Sequence, residues 1–302
     1  MIIAAYAALT TRQRPEELLR GLEKALAISC GGETPSIVAL PEHARLPLEK
    51  VERMSRRYPT TLILPGTTPV TSDQLKPILG ENCPPNLYFR VFNIATAYYG
   101  GKQLFACGKR SFVEREGYGE LDFYQLPEGT TIGRWPDEKS NLFTWEKTKN
   151  GLEERVTIGV EICADHSIGT RSPRTRNAVP VLKSQLSRTN HDYHPPRQPD
   201  LQLVLSHGLM GLNPQAVVVR GGGACLLVDG SEPPSAIACL RKEDGRLHQL
   251  SPITKIRGWG FKTDTLFLYN FNPPTESTPS TTTQSSQSPP PSTLHSSNTT
   301  RT

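Results

Sequence analysis

The chain has 302 residues, 36% hydrophobic and 21% charged, with a formal net charge of +5. That is enough apolar material for one large domain, and no apolar run reaches the roughly 18 residues that a membrane helix needs. The charge excess is local: residues 167–199 hold Arg171, Arg174, Arg176, Lys183, Arg188 and Arg197 against Asp192, and the rest is balanced. General nucleic-acid binding is therefore not indicated.

Ile2–Ala7 is a short apolar run that reads as a buried strand. Pro15-Glu16-Glu17 opens a helix, since proline suits the first turn and acids suit its positive end. Leu18, Leu19, Leu22, Ala25 and Leu26 line one face of it. Ser36–Leu40 is a second buried strand, 46–57 a second amphipathic helix, and Thr61–Leu64 a third strand stopped by Pro65-Gly66. The period then changes. Leu87–Tyr98 and Gln103–Ala106 read as strands joined by the turn Tyr99-Gly100-Gly101-Lys102. Val156–Val160 is a strand that runs into Glu161-Ile162-Cys163. Leu201–Leu205 and Ala216–Val219 read as further strands, followed by a hairpin-like pair at Ala224–Val228 and Ala236–Leu240. Early β-α-β units followed by hairpins predict an α/β sandwich with mixed sheets.

The last segment, 273–302, has 17 Ser or Thr and 6 Pro in 30 residues, with Leu294 its one large aliphatic side chain. Such a composition cannot offset the entropy of ordering. The division is a folding domain over 1–272 and a disordered tail over 273–302. The start has no basic residues before its apolar run, so no secretory signal is expected. Cysteines 30, 83, 107, 163, 225 and 239 show no metal-like spacing and read as free thiols of a cytoplasmic protein.

Three residues stand at strand ends: Glu42 after Leu40-Pro41, Lys109 after a hairpin strand, and Cys163. Strand ends are where α/β sheets bind ligands. A thiol nucleophile needs a base, and a cation must hold the oxyanion formed when it attacks a carbonyl or nitrile carbon. Taken singly, each is a common loop or core residue.

In order, the chain reads Val38-Ala39-Leu40-Pro41-Glu42, then Asn93-Ile94-Ala95, Gly101-Lys102 and Gly108-Lys109-Arg110, then Ile158-Gly159-Val160-Glu161-Ile162-Cys163-Ala164-Asp165. This resembles the nitrilase superfamily of carbon–nitrogen hydrolases over roughly residues 1–270. The resemblance implies a four-layer α-β-β-α sandwich, assembled as a homodimer or higher homo-oligomer. It implies Glu42 as general base, Lys109 as oxyanion-stabilising cation and Cys163 as nucleophile. Glu116 (or Glu114) would position substrate, the Ala164 N–H would be a second oxyanion donor, and His207 would face the pocket. It implies no cofactor and no metal.

Two departures stand out. Lys109 follows Cys107-Gly108 where the family commonly has an aromatic–basic pair, and Ser167 stands where many members carry Arg. The implied activity is hydrolysis of a small amide through a thioester. Variants are a nitrilase, an acyltransferase, a catalytically degenerate nitrilase-like binding protein, and a module whose segment 167–199 grips an acidic partner or steers an anionic substrate. His191 and His194 have no common metal spacing, Gly221–Gly223 reads as a tight turn, and Cys225 and Cys239 read as core.

Overall fold

The computed structural model describes residues 1–71, 74–75, 90–110, 131–133, 135, 140–149, 152–167, 180–187, 198–209 and 211–274. Four layers result from two facing sheets and their coverings.

The first sheet begins with strand β1 (Ile2–Ala7) and helix α1 (Pro15–Ala27), then β2 (Ile37–Ala39), α2 (Leu48–Arg57), β3 (Leu62–Leu64), β4 (Thr67–Thr71), β5 (Arg90–Tyr99), β6 (Lys102–Gly108) and β7 (Thr131–Ile132). The chain crosses to the second sheet with β8 (Leu142–Lys149) and β9 (Leu152–Ile162), followed by α3 (Ala164–Ser167), α4 (Val181–Ser187), β10 (Leu201–Ser206), β11 (Ala224–Asp229), β12 (Ser235–Arg241) and β13 (Leu247–Leu250). It returns to the first sheet with β14 (Thr254–Arg257) and β15 (Thr265–Asn270). The first sheet runs β14-β15-β1-β2-β3-β5-β4, with β6 and β7 also on β5; the second runs β13-β12-β11-β10-β9-β8.

Alternation along each strand assigns the layers. Ile3, Ala5 and Ala7 face Val156, Ile158, Val160 and Ile162, with Leu201, Leu203 and Leu205, in the core between the sheets. Ile2, Ala4 and Tyr6 point the other way, under Leu18, Leu22 and Leu26 of α1 and Val51 and Met54 of α2. The outer face of the second sheet carries Val204, Cys225, Leu227 and Cys239, covered by Leu209, Val217 and Val219. Among the described residues, the fourth layer holds α3, α4 and a 3-10 turn at Pro214–Ala216. The α-β-β-α order is the one the resemblance implied. Among the described residues no helix is long and apolar enough to cross a membrane.

Several elements differ from the sequence reading. Helix α2 starts at Leu48, because Pro47 occupies its N-cap. The strand predicted over 156–160 is longer, Leu152–Ile162. The strand predicted over Ala216–Val219 is not a strand. Its backbone groups are taken by side chains: Val218 N donates to Gln202 Oε1 at 3.0 Å, and Arg241 donates to Val217 O and Val219 O at 3.3 and 3.2 Å. With those groups engaged, no ladder forms. Strands β4, β7, β8, β13, β14 and β15 are not among the elements that the sequence predicts. Strand β15 matters most, since it pairs antiparallel with β1 along its whole length and joins β14 to the first sheet. The tail from 275 onward, Cys83, the His191–His194 stretch and most of 167–199 lie outside the described residues.

Candidate active site

Glu42, Lys109 and Cys163 converge where the ends of β2 and β6 in one sheet meet the end of β9 in the other. Glu42 follows β2 by three residues and is fully buried. Thr10 Oγ1 donates to its backbone carbonyl at 2.7 Å, which fixes the turn after Pro41. Gly66 makes this approach possible: a Cβ there would sit 2.1 Å from Pro41 O, and its φ of +79° suits glycine.

Lys109 Nζ lies 2.7 Å from Glu42 Oε1, and both side chains are almost completely buried. Asn93 Nδ2 donates to the same oxygen at 2.8 Å, and Asn93 O accepts from Lys109 N at 2.9 Å. Asn93 on β5 thus holds Glu42 by its side chain and Lys109 by its backbone. Next to Lys109, Arg110 N donates to both oxygens of Asp165, at 3.1 and 3.2 Å. Asp165 thereby ties the lysine segment to the segment after Cys163. The structure also explains the glycine before Lys109, since a Cβ at Gly108 would lie 2.4 Å from the Trp135 ring. With Cys107 in the inter-sheet core, an aromatic–basic pair has no room here.

Cys163 sits on a sharp strand-to-helix turn between β9 and α3, with φ of +45°. A non-glycine residue in that region is strained, by roughly 1–2 kcal/mol, and strain of this kind collects at functional turns. The turn is closed by His166 N donating to Cys163 O at 3.0 Å, and Cys163 N is anchored to Leu205 O at 2.9 Å. The thiol donates to His207 O at 3.8 Å. The loop bearing that carbonyl is held by buried Asp229, which accepts from Gly208 N at 2.8 Å and Leu209 N at 3.1 Å.

Electrostatics separate the two ionisable partners. Burial alone would raise the Glu42 carboxyl, but Lys109, His43 and the Cys163 thiol outweigh it and hold it below its ordinary range. The Cys163 thiol is pushed up to about 12, by burial first and by the Glu42 charge second, with Lys109 opposing. The resting pair is a neutral thiol beside an ionised carboxylate. Among the described residues, Glu42 Oε2 has no N–H or O–H donor.

Sequence reasoning missed His43. Its Nε2 lies 3.8 Å from Glu42 Oε1, and its ring meets the His207 ring edge-on at 5.5 Å between centroids. Burial, against the pull of Glu42, lowers its pKa to about 4, so it is neutral at pH 7. Its backbone, like that of Arg45, has positive φ (63° and 51°). Two bonds from Thr67 restrain that loop: its Oγ1 accepts from His43 N, and its carbonyl accepts from Arg45 N.

Behind the cysteine turn lies a fully buried polar cluster. His166 Nδ1 is 2.7 Å from Glu161 Oε2, which also accepts from Gln202 Nε2 at 2.8 Å; Glu161 Oε1 accepts from Leu182 N at 2.9 Å. His166 Nε2 accepts from Asn213 N at 3.1 Å, so the ring carries its proton on Nδ1 and donates to Glu161. The signal for this cluster was present: Glu161 is a lone acid in an otherwise apolar strand end, Val160-Glu161-Ile162.

Ala164 is buried and opens α3. His207 is half-buried beside the site. Glu116, and Glu114 with it, lies outside the described residues. Among the described residues no cluster of three His, Cys, Asp or Glu has the arrangement to hold a metal ion.

No family model matches the chain, and no curated protein matches it. Solved structures do. A carbon–nitrogen hydrolase superfamily protein from Xanthomonas campestris is 13% identical with a TM-score of 0.49, over 89% of this chain and 90% of that one. A carbon–nitrogen hydrolase from Helicobacter pylori is 9% identical with a TM-score of 0.43, over 89% of each chain. A glutamine-dependent NAD(+) synthetase from Cytophaga hutchinsonii is 11% identical with a TM-score of 0.48, over 90% of this chain. The chain spans 43% of that synthetase's length.

Proposed function

We propose that this protein is a hydrolase of non-peptide carbon–nitrogen bonds, an amidase, that works through a thioester on Cys163. The observation that carries the reading is the buried Glu42–Lys109 ion pair at 2.7 Å, set against a thiol on a strained turn.

Each part has a physical task. Glu42 is ionised at rest and is the base for the Cys163 proton. The thiol resists ionisation on its own, so thiolate character develops only as the sulfur attacks the amide carbon and Glu42 takes the proton. That transfer neutralises the carboxylate. Lys109 then loses its anionic partner just as negative charge appears on the amide oxygen, and its ammonium stabilises that oxyanion. The Ala164 N–H is the second donor. Glu42 returns the proton to the departing ammonia or amine, leaving a thioester. Glu42 then activates water, which attacks the thioester and releases the acid. Glu116 and His207 are placed by this reading at the substrate.

The test is ammonia release across a panel of amides, nitriles and carbamoyl compounds, with Cys163→Ala as the control. Turnover of at least one amide is expected, abolished by Cys163→Ala. Cys107→Ala and Cys225→Ala should retain it. Undiminished turnover by Cys163→Ala contradicts the proposal.

A further inference from the structure

Two thiols that the hydrolytic reading does not use stand opposite each other on the outer face of the second sheet. Cys225 on β11 and Cys239 on β12 are direct partners in an antiparallel pair. Two positions along, Arg241 N donates to Gly223 O at 2.9 Å. Hydrogen-bonded pairs recur at every second residue of such a ladder, with Cα atoms about 5.5 Å apart. That separation lies inside the window a disulfide spans, roughly 4.4–6.8 Å. Both side chains belong to one apolar cluster with Val204, Leu209, Val217, Val219 and Leu227, and both cysteines are free thiols.

We propose that Cys225 and Cys239 form a reversible cross-strand disulfide when the protein meets a peroxide. The pair is asymmetric in a way that assigns the roles. Cys239 keeps 8% of its surface exposed, on a strand one removed from the sheet edge, whereas Cys225 is completely buried. The hydrogen bond from the Cys225 thiol favours the Cys239 thiolate, while burial and that same bond keep Cys225 protonated. Cys239 is thus the attacking sulfur and Cys225 the resolving one.

The chemistry balances. The Cys239 thiolate attacks one peroxide oxygen, the O–O bond breaks, and the departing hydroxide picks up a proton to leave as water. Cys239 is now a sulfenic acid. The Cys225 sulfur attacks the Cys239 sulfur, the S–O bond breaks, and the leaving hydroxyl takes the Cys225 proton as a second water. Two thiols are oxidised and one peroxide is reduced. Peroxide is small enough for a site this enclosed.

The pair is distinct from Cys163. Cys225 pairs across to Gln202, whereas Leu205, the partner of Ile162, pairs to Val228. The dithiol therefore lies four residues back along the strands from Cys163, about 13 Å in the strand direction, and two strands across, although Cys163 borders the apolar cluster that holds the pair.

The experiment uses the full chain carrying Cys163→Ala, so that the result does not depend on the proposed hydrolase. The native protein is exposed to hydrogen peroxide, denatured, alkylated and cut with trypsin. No Lys or Arg lies between Arg220 and Arg241, so both cysteines leave in one peptide. The expected product is that peptide, unalkylated and lighter by two hydrogens, and dithiothreitol restores double alkylation. Cys107 should remain fully alkylated. In Cys225→Ser, Cys239 should instead accumulate as a sulfenic acid that dimedone traps. A doubly alkylated peptide after peroxide would overturn the proposal, as would sulfinic acid on Cys239 beside an alkylated Cys225. Either result in the parent protein decides the matter even if Cys225→Ser does not fold.

Discussion

The two walls of the site are held by different forces. On the first sheet, Glu42 and Lys109 are kept in place by charge, a buried ion pair supported by the hydrogen bond from Asn93. On the second sheet, Cys163 is kept in place by geometry, a strained backbone turn backed by the buried cluster of Glu161, His166 and Gln202. The charged wall must change its charge state during the proposed reaction, whereas the braced wall must keep one sulfur fixed while bonds form and break on it. A charge pair can exchange a proton without moving atoms far. A turn held by hydrogen bonds stays where it is when charge moves nearby.

The difference is sharpest under substitution at Lys109. Lys109→Met leaves the Glu42 carboxylate buried without its main partner, which costs about 3–5 kcal/mol of stability as well as turnover. Adding Glu42→Gln should restore most of the stability and none of the activity. Denaturant melts of the single and double variants read this directly. Additive losses would show that the pair is not coupled as described.

A second test uses pH. His43 titrates near 4 when folded, as burial disfavours its cation, against about 6.5 in the unfolded chain. Above the unfolded value both states are neutral, and nothing is lost. As pH falls from about 6.5 toward 4, the unfolded state takes up a proton that the folded state refuses, so stability drops by on the order of 3 kcal/mol. Glu42 works in a lower window: its depressed pKa contributes stability that is present above the ordinary carboxylate range and lost only as pH falls below it. Melting temperature followed across this range should slope downward with acid, and His43→Gln should flatten the upper part. An unchanged slope in that variant would remove His43 from the account.

The braced wall gives a smaller and different signature. Glu161→Ala leaves Leu182 N and the His166 ring without their acceptor and removes one of the two that Gln202 Nε2 uses, Ala216 O remaining. Water can enter part of the space, so the loss is about 2 kcal/mol. Turnover number should fall more than KM rises, because the turn that aims the sulfur loosens while the charged wall is intact. A pure KM effect would place the cluster at the substrate instead.

The sequence made the two walls unequally legible. Glu42, Lys109 and Cys163 stand in a recognisable order at strand ends, and they do converge. The β-α-β start was legible because its strands are fully apolar and its helices have a clear apolar face. The supporting residues were harder. Gln202 acquires its partner only because β9 and β10 pair in parallel with Gly159 opposite Gln202, which places its amide beside Glu161 on a buried outer face. No local pattern encodes that register. Asn93 likewise reads as an ordinary strand polar residue until β5 brings it to Glu42. The mistaken strand at Ala216–Val219 has the same origin, since side chains from β10 and β12 occupy its backbone groups. One omission was avoidable: Asn150-Gly151, a strong hairpin signal, stands between β8 and β9, whose first pairing is Lys149 with Leu152.

The central claim is that Cys163 forms the bond to substrate. Intact-protein mass spectrometry during turnover of an amide found active in the panel, followed by peptide mapping, tests it most directly. The account predicts a transient acyl adduct, carried as a thioester on the Cys163 peptide, absent from Cys163→Ala and decaying as the acid appears. An acyl adduct on another residue, or steady hydrolysis by Cys163→Ala with no adduct at all, would contradict it.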